Sequence, residues 1–211
     1  MLGWMLLTGV SVLALLVAEH RNSRAGVWIA KPIASTAFIA AAVAAGATSS
    51  SFGRLILVGL VLSWLGDVLL IPRERPKVFL AGVASFLLGH VAFAIAFLAR
   101  GVAPVWIVAS GVLVVAALVG AVRWLAPHLP DDMRAAAHAY MIVISVMVVT
   151  ASGTFGAAGN AAILIGAVAF YFSDISVARD RFVDHAFINR LWGLPLYYFA
   201  QLALAYSTAA G

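Results

Sequence analysis

The chain has 211 residues, of which 64% are apolar and 10% charged, where a soluble domain carries about 25% charged residues; the composition excludes an ordinary soluble protein and indicates a polytopic membrane protein. Its net charge of +5 does not point to nucleic acid, because the basic residues sit in short loops between apolar runs, where setting orientation is their commoner role. Cysteine is absent, which removes disulfides, thiol catalysis and thiolate-bound metals.

In chain order, apolar runs interrupted by charge, Pro or Gly predict eight helical spans at about residues 2–18, 28–48, 53–71, 78–99, 103–124, 133–151, 160–178 and 190–208. The runs are continuously apolar rather than alternating, so helices are expected in place of barrel strands. Met1 to Val17 lacks a basic leading segment and is followed by Glu19, His20 and Arg21, which reads as a first span and not as a removable signal peptide. Short linkers make consecutive helices antiparallel neighbours, and residues 1–211 form one all-α transmembrane domain.

Orientation follows from charge. Arg21, Arg24, Lys31, Arg73, Arg75, Lys77, Arg123, Arg134, Arg179, Arg181 and Arg190 flank the odd-numbered loops, and Arg54 and Arg100 the even ones. This asymmetry puts the odd loops in the cytoplasm and both termini outside. Sliding the chain by 107 positions lays Gly59 on Gly166, Asp67 on Asp174, His90 on Tyr197 and Lys31 on His138, the pattern of a 4+4 parallel internal repeat.

Polar residues inside the spans are the anomaly. A carboxylate in a membrane helix costs about 2.5 to 3.5 kcal/mol on insertion scales, so it usually faces a protein interior with a partner or a task. Asp67 nearly ends the third span and Asp174 the seventh, both roughly 6 to 8 Å inside the cytoplasmic boundary at 1.5 Å per residue. Each could reach water or pair with an arginine such as Arg73 or Arg179. Alternatively, they form a carboxylate pair in a semi-apolar cavity, one acid and one base. Lys31, placed with Pro32 at a helix start, either snorkels to the interface, meets a phosphate headgroup or holds one aspartate ionised. His90 is a hydrogen-bonded structural histidine or a chemical one. Tyr140, Tyr197, Tyr198 and Gln201 offer hydroxyl and amide groups to a cavity, and Gln201 could equally join two helices. No HxxxH or HExxH spacing occurs, so no metal is expected. Nucleophile elbows, Walker loops and dinucleotide turns are absent too, and no cofactor is expected.

Taken together, Lys31-Pro32, Ser63 to Asp67 (SWLGD), Phe79 to His90 (FLAGVASFLLGH), Phe172-Ser173-Asp174 and Leu194 to Gln201 (LPLYYFAQ) resemble the YhhN-like family of membrane proteins, which includes lysoplasmalogenases. The resemblance covers nearly the whole chain; the fifth helix and the loops match only in hydrophobicity. It implies an eight-helix integral membrane enzyme that hydrolyses the vinyl ether bond of a lysoplasmalogen; richness in Ala, Gly and Val points to a bacterial cytoplasmic membrane, and the polar groups clustered at cytoplasmic helix ends to a substrate drawn from the cytoplasmic leaflet. Catalysis would fall to Asp67 and Asp174, and substrate binding to Lys31, His90, Tyr140, Tyr197, Tyr198 and Gln201. Asp67, followed by Val68-Leu69-Leu70-Ile71, has the more apolar sequence context and is expected to be the acid. The rival reading is a proton- or cation-coupled transporter, in which membrane aspartates bind a cation or relay protons; a lipid-binding protein without turnover is a third.

Overall fold

The structure is a computed structural model that describes residues 1–72 and 74–210; Arg73 lies outside them. Its helices are α1 (Leu2–His20), α2 (Arg24–Ala44), α3 (Ser51–Leu69), α4 (Pro76–Arg100), α5 (Pro104–Leu125), α6 (Asp131–Ala158), α7 (Ala161–Ala178) and α8 (Phe187–Tyr206). Seven of them, α1 to α7, are long and apolar enough to cross a membrane. The eighth is as long, but Asn189, Arg190, Pro195 and Gln201 dilute its apolar character.

Local chemistry sets the helix ends. Ser23 caps α2 by accepting from the Gly26 amide, Ser50 caps α3 through Gly53, and Asn160 caps α7 through Ala162, each satisfying an N–H that the first turn leaves unpaired. Pro76 and Pro104 open α4 and α5, where a missing N–H costs nothing. The Ser23 cap starts α2 four residues before the expected boundary, so Lys31 stands two turns inside the helix rather than at its start. Pro32 is thereby an interior proline, and the carbonyl of Trp28 loses its usual partner. α6 runs to Ala158, well past the expected end near 151. Gly153 and Gly156 look like breaks in sequence, yet they are where Ile107 and Trp106 of α5 press close. The helix ends at Gly159, which takes a left-handed φ of 69° at no steric cost.

In the bundle, α3 packs on α4 as α7 does on α8, α2 on α3 as α6 on α7, and α2 meets α8 as α6 meets α4. Phe38, Phe93, Phe97, Phe170, Ile56, Leu60, Met147 and Leu204 are fully buried between them. α5 leans on α6 at the edge, with only Leu125 buried; its outward Val and Leu side chains suit contact with lipid tails. On the face of α3 packed against α4, a Cβ on Gly66 would stand 2.6 Å from the Phe86 ring. Gly66→Ala is therefore expected to cost about 1–3 kcal/mol by overpacking, read as a lower melting temperature in detergent.

Candidate active site

The carboxylate of Asp67, 2% exposed near the end of α3, is held from two other helices. Lys31 Nζ of α2 is 3.2 Å from Oδ1. Ser35 Oγ, one turn on from Lys31, donates to Oδ2 at 2.6 Å, and Tyr197 of α8 donates to the same oxygen at 2.7 Å. Ser35 also lies 3.1 Å from the Tyr198 hydroxyl, which reaches the Lys31 carbonyl at 3.4 Å. One full positive charge and two hydroxyl donors surround this group, which is the complement of an ionised carboxylate.

Asp174 of α7 has a different setting. The Tyr140 hydroxyl of α6 donates to its Oδ2 at 2.7 Å, and His90 Nε2 of α4 lies 3.3 Å from that oxygen and 2.9 Å from the Tyr140 hydroxyl. His90 is fully buried and its Nδ1 has no partner among the described residues. With Nε2 facing Asp174 and Tyr140, the tautomer with hydrogen on Nε2 leaves only the Nδ1 lone pair unmet in the interior, whereas hydrogen on Nδ1 would strand an N–H there. No Lys or Arg pairs with Asp174 among the described residues, and the contacts from Tyr140 and His90 both fall on Oδ2. Oδ1 makes no hydrogen bond to the described residues and is available to a ligand.

The two aspartates border one cavity. It has a volume of about 270 Å³ and is bounded by Lys31, Asp67, Phe86, Ser173, Asp174 and Tyr197, with Glu19, Asp180, Arg181, His185, Asn189 and Arg190 around its polar end. Phe170 links the clusters, its ring edge-on to His90 at 4.6 Å and to Tyr197 at 5.3 Å. A second, almost wholly apolar pocket of about 120 Å³ opens between α4, α5, α6 and α7, walled by Val83, Trp124, Met133, Met141, Ile144 and Tyr171. Leu70, Phe79, Phe86, Asp174, Val177 and Arg181 border both spaces, so Asp174 stands where polar and apolar compartments meet.

Of the residues singled out from sequence, Lys31, Tyr197 and Asp67 form one group and His90, Tyr140 and Asp174 another. Tyr198 sits behind the first group, bonded to Ser35 and not to a carboxylate. Gln201, fully buried one turn above Tyr197, lies against that phenol without closing a well-formed hydrogen bond. Arg179 does not pair with Asp174; it is 3.6 Å from Asp184. The suggested Asp67–Arg73 pairing falls outside the described residues. At the polar mouth Arg190 lies 3.0 Å from Asp180 and 3.5 Å from Glu19, a cluster that sequence reading took only as an orientation signal. Ser35 was also missed, although its place four residues after Lys31 puts both on one helix face. No group of three or more metal-ligating side chains occurs among the described residues.

The sequence model of the YhhN family matches residues 26–208. The chain is 33% identical over 154 residues to a lysoplasmalogenase of Mycobacterium bovis, an alignment covering 71% of this chain and 58% of that one. It is 29% identical over 180 residues to lysoplasmalogenase TMEM86B of Sus scrofa, covering 84% and 72%. With lysoplasmalogenase TMEM86A of Bos taurus it shares 30% identity over 158 residues, covering 72% and 64%. The chain thus spans less than two thirds of the length of the mycobacterial relative. No solved structure matches it.

Proposed function

The chain belongs to the YhhN family, and from that premise and the geometry of the shared cavity we propose that it is a membrane hydrolase of vinyl ether lysophospholipids, releasing a fatty aldehyde and a glycerophospho-base. The observation that carries the proposal is that two carboxyl groups, distant in sequence and oppositely equipped, border one cavity that shares part of its wall with an apolar pocket. The lipid chain enters the pocket next to the ether, with its remainder among lipid tails; the headgroup occupies the polar end. Eight spans, a 4+4 repeat and a cytoplasmic-facing cavity with both termini outside complete the proposed arrangement. The repeat is supported by the matched helix pairings and by reciprocal bonding: each aspartate is contacted by the other half's counterpart residue, Tyr197 for Asp67 and His90 for Asp174.

The environments favour a division of labour opposite to the one the flanking sequence suggested. Asp174, with no full-time cation beside it, is the acid; Asp67, with Lys31, is the base. Asp174 gives its proton to the β-carbon of the vinyl ether, whose π electrons form the new C–H bond and leave an oxocarbenium ion. The Asp67 carboxylate takes a proton from water as the water oxygen bonds to the cationic carbon. The resulting hemiacetal collapses: its O–H proton returns to Asp174, the C–O bond to glycerol breaks, and the glycerol oxygen takes the proton held by Asp67. One water is consumed and both aspartates end as they began. The logic parallels the paired carboxylates of glycosidases. Lys31 and Tyr197 position the base; His90 and Tyr140 position the acid.

Aldehyde release from a lysoplasmalogen by the purified protein in detergent tests the proposal. No gradient exists there, so a coupled transporter yields none, whereas the hydrolase yields stoichiometric aldehyde and glycerophospho-base.

A further inference from the structure

Lys31 is an obvious candidate to hold the substrate's phosphate, but its ammonium is 3.2 Å from Asp67 and only 12% of its side chain is exposed. Arg190 is likewise engaged, by Asp180 and Glu19. His185 leans on the Asp180–Arg190 pair. Arg181 differs from all three. It follows α7 on a short π-helical turn, Arg179–Val183, seven residues after Asp174. Its side chain is exposed, its guanidinium lies 4.3 Å from the centre of the Phe79 ring, and it has no carboxylate partner among the described residues. Asp180, the nearest carboxylate in sequence, is turned to Arg190. Arg181 also borders both the polar cavity and the apolar pocket.

Resting on the proposed hydrolase reading, we propose that Arg181 is the phosphate-binding residue of the site and sets its preference for phosphate-bearing lipids over neutral ones. The planar guanidinium offers paired N–H donors that match two phosphate oxygens. Stacking on Phe79 pre-orients it, so little side-chain freedom is lost on binding. Its position on the shared border fits a single-chain amphiphile, whose phosphate is only a glycerol's length from the ether to be cut.

The test uses binding, so that it stands apart from catalysis. The full-length protein is titrated in detergent with 1-O-alkyl-glycerophosphoethanolamine, whose saturated ether is not cleaved, and with 1-O-alkylglycerol, which lacks the phosphate. Arg181→Ala is expected to lower the ratio of the two affinities at least about tenfold, the scale of one charge-assisted contact, and Arg181→Lys to regain part of it. Inorganic phosphate competes with the phospholipid in the wild type. An unchanged ratio in Arg181→Ala overturns the assignment, as does an equal loss for both lipids. An unchanged ratio accompanied by Arg181-dependent binding of inorganic phosphate identifies a free-phosphate site instead and also overturns it. If the wild type releases no aldehyde yet the ratio falls as expected, the hydrolase reading fails and the phosphate site stands.

Discussion

Asp174→Asn is expected to lower the rate of aldehyde release by about 10²–10⁴-fold, the usual contribution of a positioned general acid, while leaving the protein folded. An amide can accept from Tyr140 and His90 as the acid's carbonyl does, so the local packing survives, but it has no acidic proton to place on the alkene. Asp67→Asn should cost a comparable factor for a different reason: the amide cannot take a proton from water, and it leaves Lys31 with no counter-charge. The two variants are distinguishable by stability, since only Asp67→Asn leaves a buried cation unpaired. Turnover measured by aldehyde trapping, beside a melting curve for each variant, checks both halves of this expectation.

Lys31→Met is expected to destabilise the bundle by about 3–5 kcal/mol, the cost of leaving a buried charge without its partner. Asp67 is 2% exposed and Lys31's side chain 12%, so little bulk solvent is at hand to take over the charge-balancing role of the lost ammonium. The double variant Lys31→Met/Asp67→Asn removes both charges and should recover most of that stability, because a matched uncharged pair is often neutral relative to the ion pair. Activity should not recover. Detergent melting temperatures of the wild type, the two single variants and the double variant give the coupling directly, and a simply additive result would mean that the pair is not the unit described.

Asp67 and Asp174 could be found in the sequence because charge inside an apolar run is expensive and therefore conspicuous. The helical class was equally legible, since uninterrupted apolar runs allow little else. Lys31 was visible but ambiguous: without Ser23 recognised as a cap, it seemed to stand at a helix entrance, where snorkelling explains it. Ser35 gave no signal of its own, because a serine in a membrane helix can always bond back to a carbonyl one turn earlier, and this one lies 3.0 Å from that of Lys31. The apolar pocket beside Asp174 was invisible for a more general reason. It arises from the spacing of four helices, and Val83, Met141 and Ile144 read as ordinary core or lipid-facing residues. The proposed roles of acid and base rest on partners brought from other helices, which the residues flanking each aspartate do not reveal.

The central claim is that one carboxyl group protonates the vinyl ether carbon while the other directs water to the cation thus formed. Turnover of a lysoplasmalogen in ¹⁸O-labelled water, with the glycerophospho-base analysed by mass spectrometry, tests it most directly. Because water adds to the vinyl carbon and the bond to glycerol breaks afterwards, the account predicts a glycerophospho-base without ¹⁸O. Incorporation of ¹⁸O into the glycerol oxygen would show attack on the glycerol carbon and contradict the account.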